Sequence, residues 1–325
     1  MPTFSVECED EAMIARVVYR GWENCWKFSN GTVELIVLAD VGPRVIWYGL
    51  RGGENQFHEV GADAGRTGSA EFRLYGGHRL WASPEVERTY FPDNIPVTVS
   101  RQGNAVRFTA PCETAPPGTR LQKEMEIELD PDGSRVSVTH RISNHDRVPT
   151  ELAVWAPTMM RAGGRAILPL PVRHPMDKDH LLPVGVFALW SYTDFTDERW
   201  KLGTEFVQLA QTGNPTGRFR EQMGGIFNSA GWGAHFRKGV LFVKRACVIA
   251  GARYPDGGCN FELFTNPEFL ELETLGPLVE LKPGEMAEHV ERWWLFGDVP
   301  EGNGDQWAQE TVASRAQNVD SVNRK

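Results

Sequence analysis

Two short stretches concentrate the residue types that handle polar ligands. The first, LYGGHRLWASPE from Leu74 to Glu85, sets Gly76 and Gly77 before His78, Arg79 and Trp81 and ends on Glu85. A glycine pair lets the backbone turn tightly or lets a ligand come close. An aromatic face beside imidazole and guanidinium donors suits stacking on a sugar ring and holding its hydroxyls. The same residues also admit a purely local arrangement, an Arg79–Glu85 ion pair over Trp81 with His78 bonded to a backbone carbonyl. The second stretch, FLELETLGP, carries Glu271 and Glu273. Side chains alternate with period two along a strand, so both glutamates project from one face. Shielded from water, two carboxyls at this spacing raise each other's pKa and suit general acid or base work near neutrality; exposed, they are simply solvated. Phe269 on the same face and the Gly276-Pro277 turn favour shielding.

Other candidates are weaker. Asp40 and Arg44 flank a turn in ADVGPRVI, and TYFPDNIPV offers Asp93 and Asn94, positions that ordinary turns also use. ELAVWAPTMMRAGG supplies Glu151, Trp155 and Thr158, with Trp155 able to line a groove or fill a core. His58 could approach His78, but two histidines without a third ligand do not define a metal centre, and no metal or cofactor is expected. The chain has no GxGxxG after a strand, no P-loop, no GxSxG and no HExxH. Dinucleotide, nucleotide-hydrolysing, α/β-hydrolase and zincin readings thereby lose their usual support.

The elements that must position these residues read as strands. In KEMEIELDPDGSRVSVTHRISNHD, Met125, Ile127 and Leu129 alternate with glutamates, and beyond the DPDG turn Val136, Val138 and Ile142 alternate with Ser137, Thr139 and Arg141. Further strands are marked by VELIVL, RVIWYGL, VTVSRQGNAVRFTA, GVLFVKRACVIA, NFELFT and EHVERWWLFG, each bounded by turn residues. No long amphipathic helix interrupts them, which predicts an all-β fold, a large antiparallel sandwich over residues 1–299 followed by a polar tail, 300–325, as a short helix or frayed end. ILPLPVRHPMDKDHLLPVG reads as a long connection across the sandwich rather than a domain boundary, and no repeat is evident.

The formal charge of −9 and the lack of basic runs argue against a nucleic-acid partner. The opening MPTFSVECEDEAMIARVV has acidic residues where an export signal has a basic start, and no run of about 18 apolar residues occurs. A cytoplasmic protein without a membrane partner is expected. The five cysteines are scattered without a CxxC pair and are expected to be free thiols.

Taken together, GGHRLW with its following PE, YFPDN and LELETLGP resemble the galactose mutarotase-like superfamily, and within it a bacterial branch of aldose-epimerase-like proteins, over about Gly21 to Gly297. The resemblance implies a β-supersandwich whose concave face holds a monosaccharide or one sugar unit of a glycan. It also implies aldose 1-epimerase chemistry, in which a glutamate in a Leu-Glu-Thr context takes the anomeric proton while a histidine protonates the ring oxygen. Glu273, in Leu272-Glu273-Thr274, is then the base and His78 the acid, with Arg44, Arg79, Trp81, Glu85, Trp155 and Glu271 as substrate-binding residues. One departure stands out. The strand that carries a second histidine in mutarotases corresponds to AVWAPTMM here, which has none. That leaves a non-catalytic sugar-binding or sensing protein as the alternative, and a glycan-cleaving relative as a third reading that lacks an assignable acid pair. Neither the sugar nor the oligomeric state is specified by these motifs.

Overall fold

The computed structural model describes residues 12–114 and 120–322. They form two large antiparallel sheets, one of 12 strands and one of 10, packed face to face as the alternation predicts. The hairpin read from the sequence is present. Leu121–Leu129 pairs with Val136–Asn144 from Leu129 opposite Val136 to Asn144 opposite Leu121, and its apolar positions are buried against the first sheet.

Distant parts of the chain meet at the middle of the 12-stranded sheet. In order across it lie Arg44–Leu50, His78–Arg79, Thr150–Arg161, Phe269–Leu275, Phe261–Thr265 and Gln222–Ile226. The strand Trp81–Ser83 also pairs with Thr150–Arg161. Apart from the hairpin of Phe261–Thr265 with Phe269–Leu275, the contacts between these strands are non-local, so that Arg79 meets Glu271 across 192 positions of the chain.

The period of two sorts each strand between two environments. Leu80 and Ala82, Leu270 and Leu272, and Val154 and Met160 turn inward and join the main core with Phe242, Trp293 and the hairpin residues. Arg79 and Trp81, Glu271 and Glu273, and Trp155 turn to the opposite face. Residues 170–186 form the long connection, without a strand, and leave Val172, Met176 and Leu182 exposed.

The tail is more ordered than its polarity suggests. Gly304 to Val322 is helical, with a π-type section at Ala308–Ala313. Its small residues Ala308, Val312, Ala313 and Ala316 pack against Trp232, Phe236 and Leu241 on the outside of the 10-stranded sheet. Alanines supply that face with little hydrophobicity of their own, which is why the sequence reads as polar. Cys25, Cys112, Cys247 and Cys259 are free thiols, while Cys8 lies outside the described residues.

Candidate functional site

The face of the 12-stranded sheet turned away from the core carries a cleft of about 260 Å³. Its aromatic wall begins at Trp81, which stands opposite Trp155 in register, the two rings 5.1 Å apart and edge to face. Phe72 and Tyr90 extend the wall at 5.8 and 5.5 Å from Trp81. Tyr192, Met223 and Phe264 close the far side. Such edge-to-face packing fixes ring positions and leaves flat apolar surface toward the cleft.

The floor is polar. Arg79 lies 4.0 Å over the Trp81 ring and donates from Nη1 to Glu271 Oε1 at 2.7 Å. Trp155 Nε1 donates to Glu273 Oε2 at 2.6 Å. Glu271 and Glu273 do share one face, and the face is shielded, with Glu273 only 1% exposed. Burial, reinforced by the Glu271 charge, pushes the Glu273 carboxyl well above the usual carboxylate range. The shift favours the protonated form, against the free base that the motif suggests. Arg79 Nε is buried and has no partner among the described residues, which leaves one guanidinium donor uncommitted beside the cleft.

The remaining expected site residues divide by position. Trp81 and Trp155 line the cleft, and Glu85 stands exposed at its rim, accepting from the Tyr90 hydroxyl rather than pairing with Arg79. Burial and that bond push the Tyr90 phenol up to about 12. Arg44 is fully buried to the side, where it donates to the carbonyls of Leu74 and Gly76 at 3.0 and 2.8 Å and pairs with Asp93 at 2.8 Å. It clamps the loop that carries the wall and does not line the cleft.

His78 requires a correction. It adjoins Arg79 in sequence, but alternation sends it to the other face, where it is fully buried and absent from the cleft lining. Its Nδ1 is 2.8 Å from Thr158 Oγ1 and its Nε2 2.7 Å from His140 Nε2. Burial pushes its pKa well below the ordinary histidine value, so it is a neutral core group and cannot reach a sugar ring as the acid. The glycine pair before it serves the same packing. A Cβ on Gly76 would come 2.2 Å from the His58 carbonyl, and one on Gly77 2.2 Å from the Val45 carbonyl, both at positive φ. The close approach is between strands rather than to a ligand.

Between the sheets, His78 belongs to a closed polar network. His140 Nδ1 donates to the His289 carbonyl at 3.0 Å, which leaves its Nε2 to accept from His78. Glu291 accepts from Lys244 at 2.9 Å, from Trp293 Nε1 at 2.8 Å and from Thr274, which also bonds His289 Nε2 at 2.8 Å. Burial pushes the Glu291 carboxyl up, but Lys244 and the neighbouring donors outweigh it and leave it low. Ligand atoms of His78, His140 and Glu291 lie within 4.8 Å of one another. Two nitrogens on a tetrahedral zinc sit about 3.3 Å apart, so the 2.7 Å contact is a hydrogen bond that an ion would have to open. His58 takes no part and lies against Phe269, the rings 5.3 Å apart.

Several cleft residues were not anticipated. Phe264 could have been found, since NFELFT alternates and puts it on one face with Glu262, which is buried and does not line the cleft. Tyr192 lies in an irregular segment with no such signal. Three larger hollows, about 480, 550 and 370 Å³, lie elsewhere, and none is lined by more than one carboxylate.

No family model and no curated protein matches the chain. Solved structures do. A TPR-domain containing protein from Parabacteroides distasonis ATCC 8503 matches at TM-score 0.53 and 14% identity over 86% of this chain, which spans only 48% of that protein's chain. A candidate aldose 1-epimerase from Escherichia coli K12 matches at 0.51 and 14% over 84% of this chain and 99% of its own. A galactose mutarotase-like protein from Lactobacillus casei ATCC 334 matches at 0.50 and 13% over 84% and 100%. The fold is galactose mutarotase-like. At these identities the likeness is one of architecture. In this mutarotase-like sandwich the cleft lies on the 12-stranded sheet. No helix among the described residues is long and apolar enough to cross a membrane.

Proposed function

We propose that the protein binds a single sugar ring in the cleft of the 12-stranded sheet. The observation that carries this reading is the pairing of Trp81 and Trp155, standing edge to face, with a floor of Arg79, Glu271 and Glu273. Aromatic faces take the apolar face of a pyranose, while guanidinium and carboxyl groups take its hydroxyls. A volume of about 260 Å³ suits one ring rather than a chain, being below the roughly 300–1,000 Å³ of pockets for drug-sized ligands. Titration calorimetry with a panel of aldoses tests this. Saturable binding that Arg79→Met weakens at least about tenfold is expected, whereas failure of every aldose to bind contradicts it.

A second reading, aldose 1-epimerase activity, is favoured by one observation: a buried Glu273, its carboxyl held above the usual range, beside an ion-paired Glu271. Glu273 then gives its proton to the ring oxygen as the ring opens, and Glu271 takes the anomeric proton. Anomer interconversion followed by polarimetry distinguishes the two readings. An epimerase accelerates it and loses the acceleration in Glu273→Gln, by about 10² to 10⁴, while a binder leaves the buffer rate unchanged.

A further inference from the structure

Behind the residues that line the cleft, the same face of the sheet holds carboxyl groups with no ion-pair partner among the described residues. Glu262 stands directly opposite Glu273 on the neighbouring strand, a placement in which like charges oppose folding. Asp256, from an exposed turn, shares a hydrogen bond with Glu262, which requires at least one proton between the two carboxyls. Glu262 is 1% exposed, and its Oε1 has no partner among the described residues. Room for it is made by Gly225 opposite, where a Cβ would stand 3.0 Å from Glu262 Cγ and 2.8 Å from Cys259 Sγ. The sequence thus keeps an acidic group in a buried position that a small apolar side chain would fill without electrostatic cost.

The cations nearby already have carboxylate partners. Arg79 is paired with Glu271, and Lys244, which reaches the carbonyls of Ala156 and Leu272 from beneath, is paired with Glu291. Trp155 Nε1 supplies Glu273 with one neutral donor, and Ser83 lies 3.5 Å from Asp256. The cleft wall beside Glu273 is aromatic.

We propose that the sugar taken by this cleft carries a positively charged amino group, seated between the aromatic wall and the carboxyl of Glu273, with the Glu262 carboxyl buried behind it on the neighbouring strand. This rests on the sugar-binding reading above and adds the chemical class. An ammonium group interacts favourably both with ring faces and with carboxylates, and Arg79 over Trp81 already shows a cation so placed. A hard metal ion needs six to eight oxygen ligands, which rings cannot supply. A uronate or a sugar phosphate would bring negative charge against these carboxyls and meet a guanidinium already neutralised. Burial and the adjoining carboxyls hold Glu262 and Glu273 above the usual range, which favours their protonated forms. An ammonium beside them favours the carboxylate and so draws protons off to solvent.

Calorimetry at pH 7 with glucosamine, N-acetylglucosamine, glucose and glucuronate, and with galactosamine and galactose, tests the inference in two buffers of different ionisation enthalpy. The amino sugars are expected to bind about tenfold tighter than their neutral counterparts. Their heats should differ between buffers by the ionisation heat of released protons. Glu262→Gln, checked for an unchanged melting temperature or compared with Glu262→Asp if it melts early, should bring the amino-to-neutral ratio toward one and leave glucose affinity within about twofold. Neutral sugars binding as tightly as amino sugars, glucuronate binding best, or calcium ions competing with glucosamine would each overturn the ammonium site while leaving the sugar cleft standing. Failure of all six sugars overturns both.

Discussion

The two faces of the 12-stranded sheet treat their charged groups in opposite ways. His78 and Arg79 are consecutive, as are Glu273 and Thr274, yet each pair is divided between the faces. Inward, Lys244, Glu291 and three histidines form a network in which Glu291 accepts three donors and His140 and His289 are both bonded. Outward, Glu262 and Glu273 face each other with one indole donor between them and a carboxylate oxygen left over. A satisfied buried network holds two sheets in one register; an unsatisfied one beside an open cleft is suited to a ligand. The comparison teaches that residue type alone does not identify a site, because histidine, lysine and glutamate serve here as core.

The largest effect should come from breaking the inner network. Lys244→Met leaves Glu291 buried without its cation and should cost about 3–5 kcal/mol in denaturant unfolding. The double variant Lys244→Met with Glu291→Gln should recover part of that loss. A cost below about 1 kcal/mol for the single variant would mean that the network is not closed.

Next, His78→Asn should lower stability by about 1–3 kcal/mol, since Thr158 and His140 lose a partner. Sugar affinity should stay within about twofold. A large loss of binding without loss of stability would return His78 to the site.

The pH dependence of stability separates the faces by sign. His78, His140 and His289 have folded pKa values below the unfolded 6.5, that of His289 pushed down to about 3 by burial. Their contribution is complete above pH 6.5 and is lost as pH falls toward 3, because the unfolded chain binds the protons. Glu262 and Glu273 have raised folded values. Their contribution is complete below about pH 4.5 and is lost as pH rises toward those values. His289→Gln should therefore flatten the acid limb, and Glu273→Gln the decline on the alkaline side, as urea titrations at successive pH values would register.

The smallest change is the stability of Glu273→Gln itself. At pH 7 it should lie within about 1 kcal/mol of wild type, because the amide keeps the shape and cannot acquire a buried charge. A loss of 3 kcal/mol or more would mean that Glu273 is ionised and paired.

Much of this architecture was legible because alternation was. The Met125–Ile142 hairpin, the shared face of Glu271 and Glu273 and the Arg79–Trp81 pair all follow from period two. The same rule, applied to His78, would have sent it inward, since it has the parity of Leu80 and Ala82; its place beside a glycine pair weighed more in the sequence reading. His140 likewise stands at the apolar parity of Val136, Val138 and Ile142, a signal of a buried polar group. Tyr192 in the cleft and Lys244 beneath it depend on strand order, which no local pattern encodes, whereas Glu262 opposite Glu273 follows from a hairpin about the Asn266-Pro267-Glu268 turn. The tail reads as a short helix or frayed end, but its packing on Trp232 and Phe236 does not show in the sequence, because alanines do their work through close approach rather than hydrophobicity.

The indole N–H resonances of the tryptophans provide the most direct test that the outer face, and not the inner one, is the sugar site. Trp155 Nε1 donates to Glu273 in the cleft and Trp293 Nε1 to Glu291 in the interior. In a ¹⁵N-correlated titration with the sugars above, assigned through Trp155→Phe and Trp293→Phe variants, the Trp155 peak should move saturably while the Trp293 peak stays in place. A stationary Trp155 peak at saturating sugar, or a shift centred on Trp293, would contradict the account.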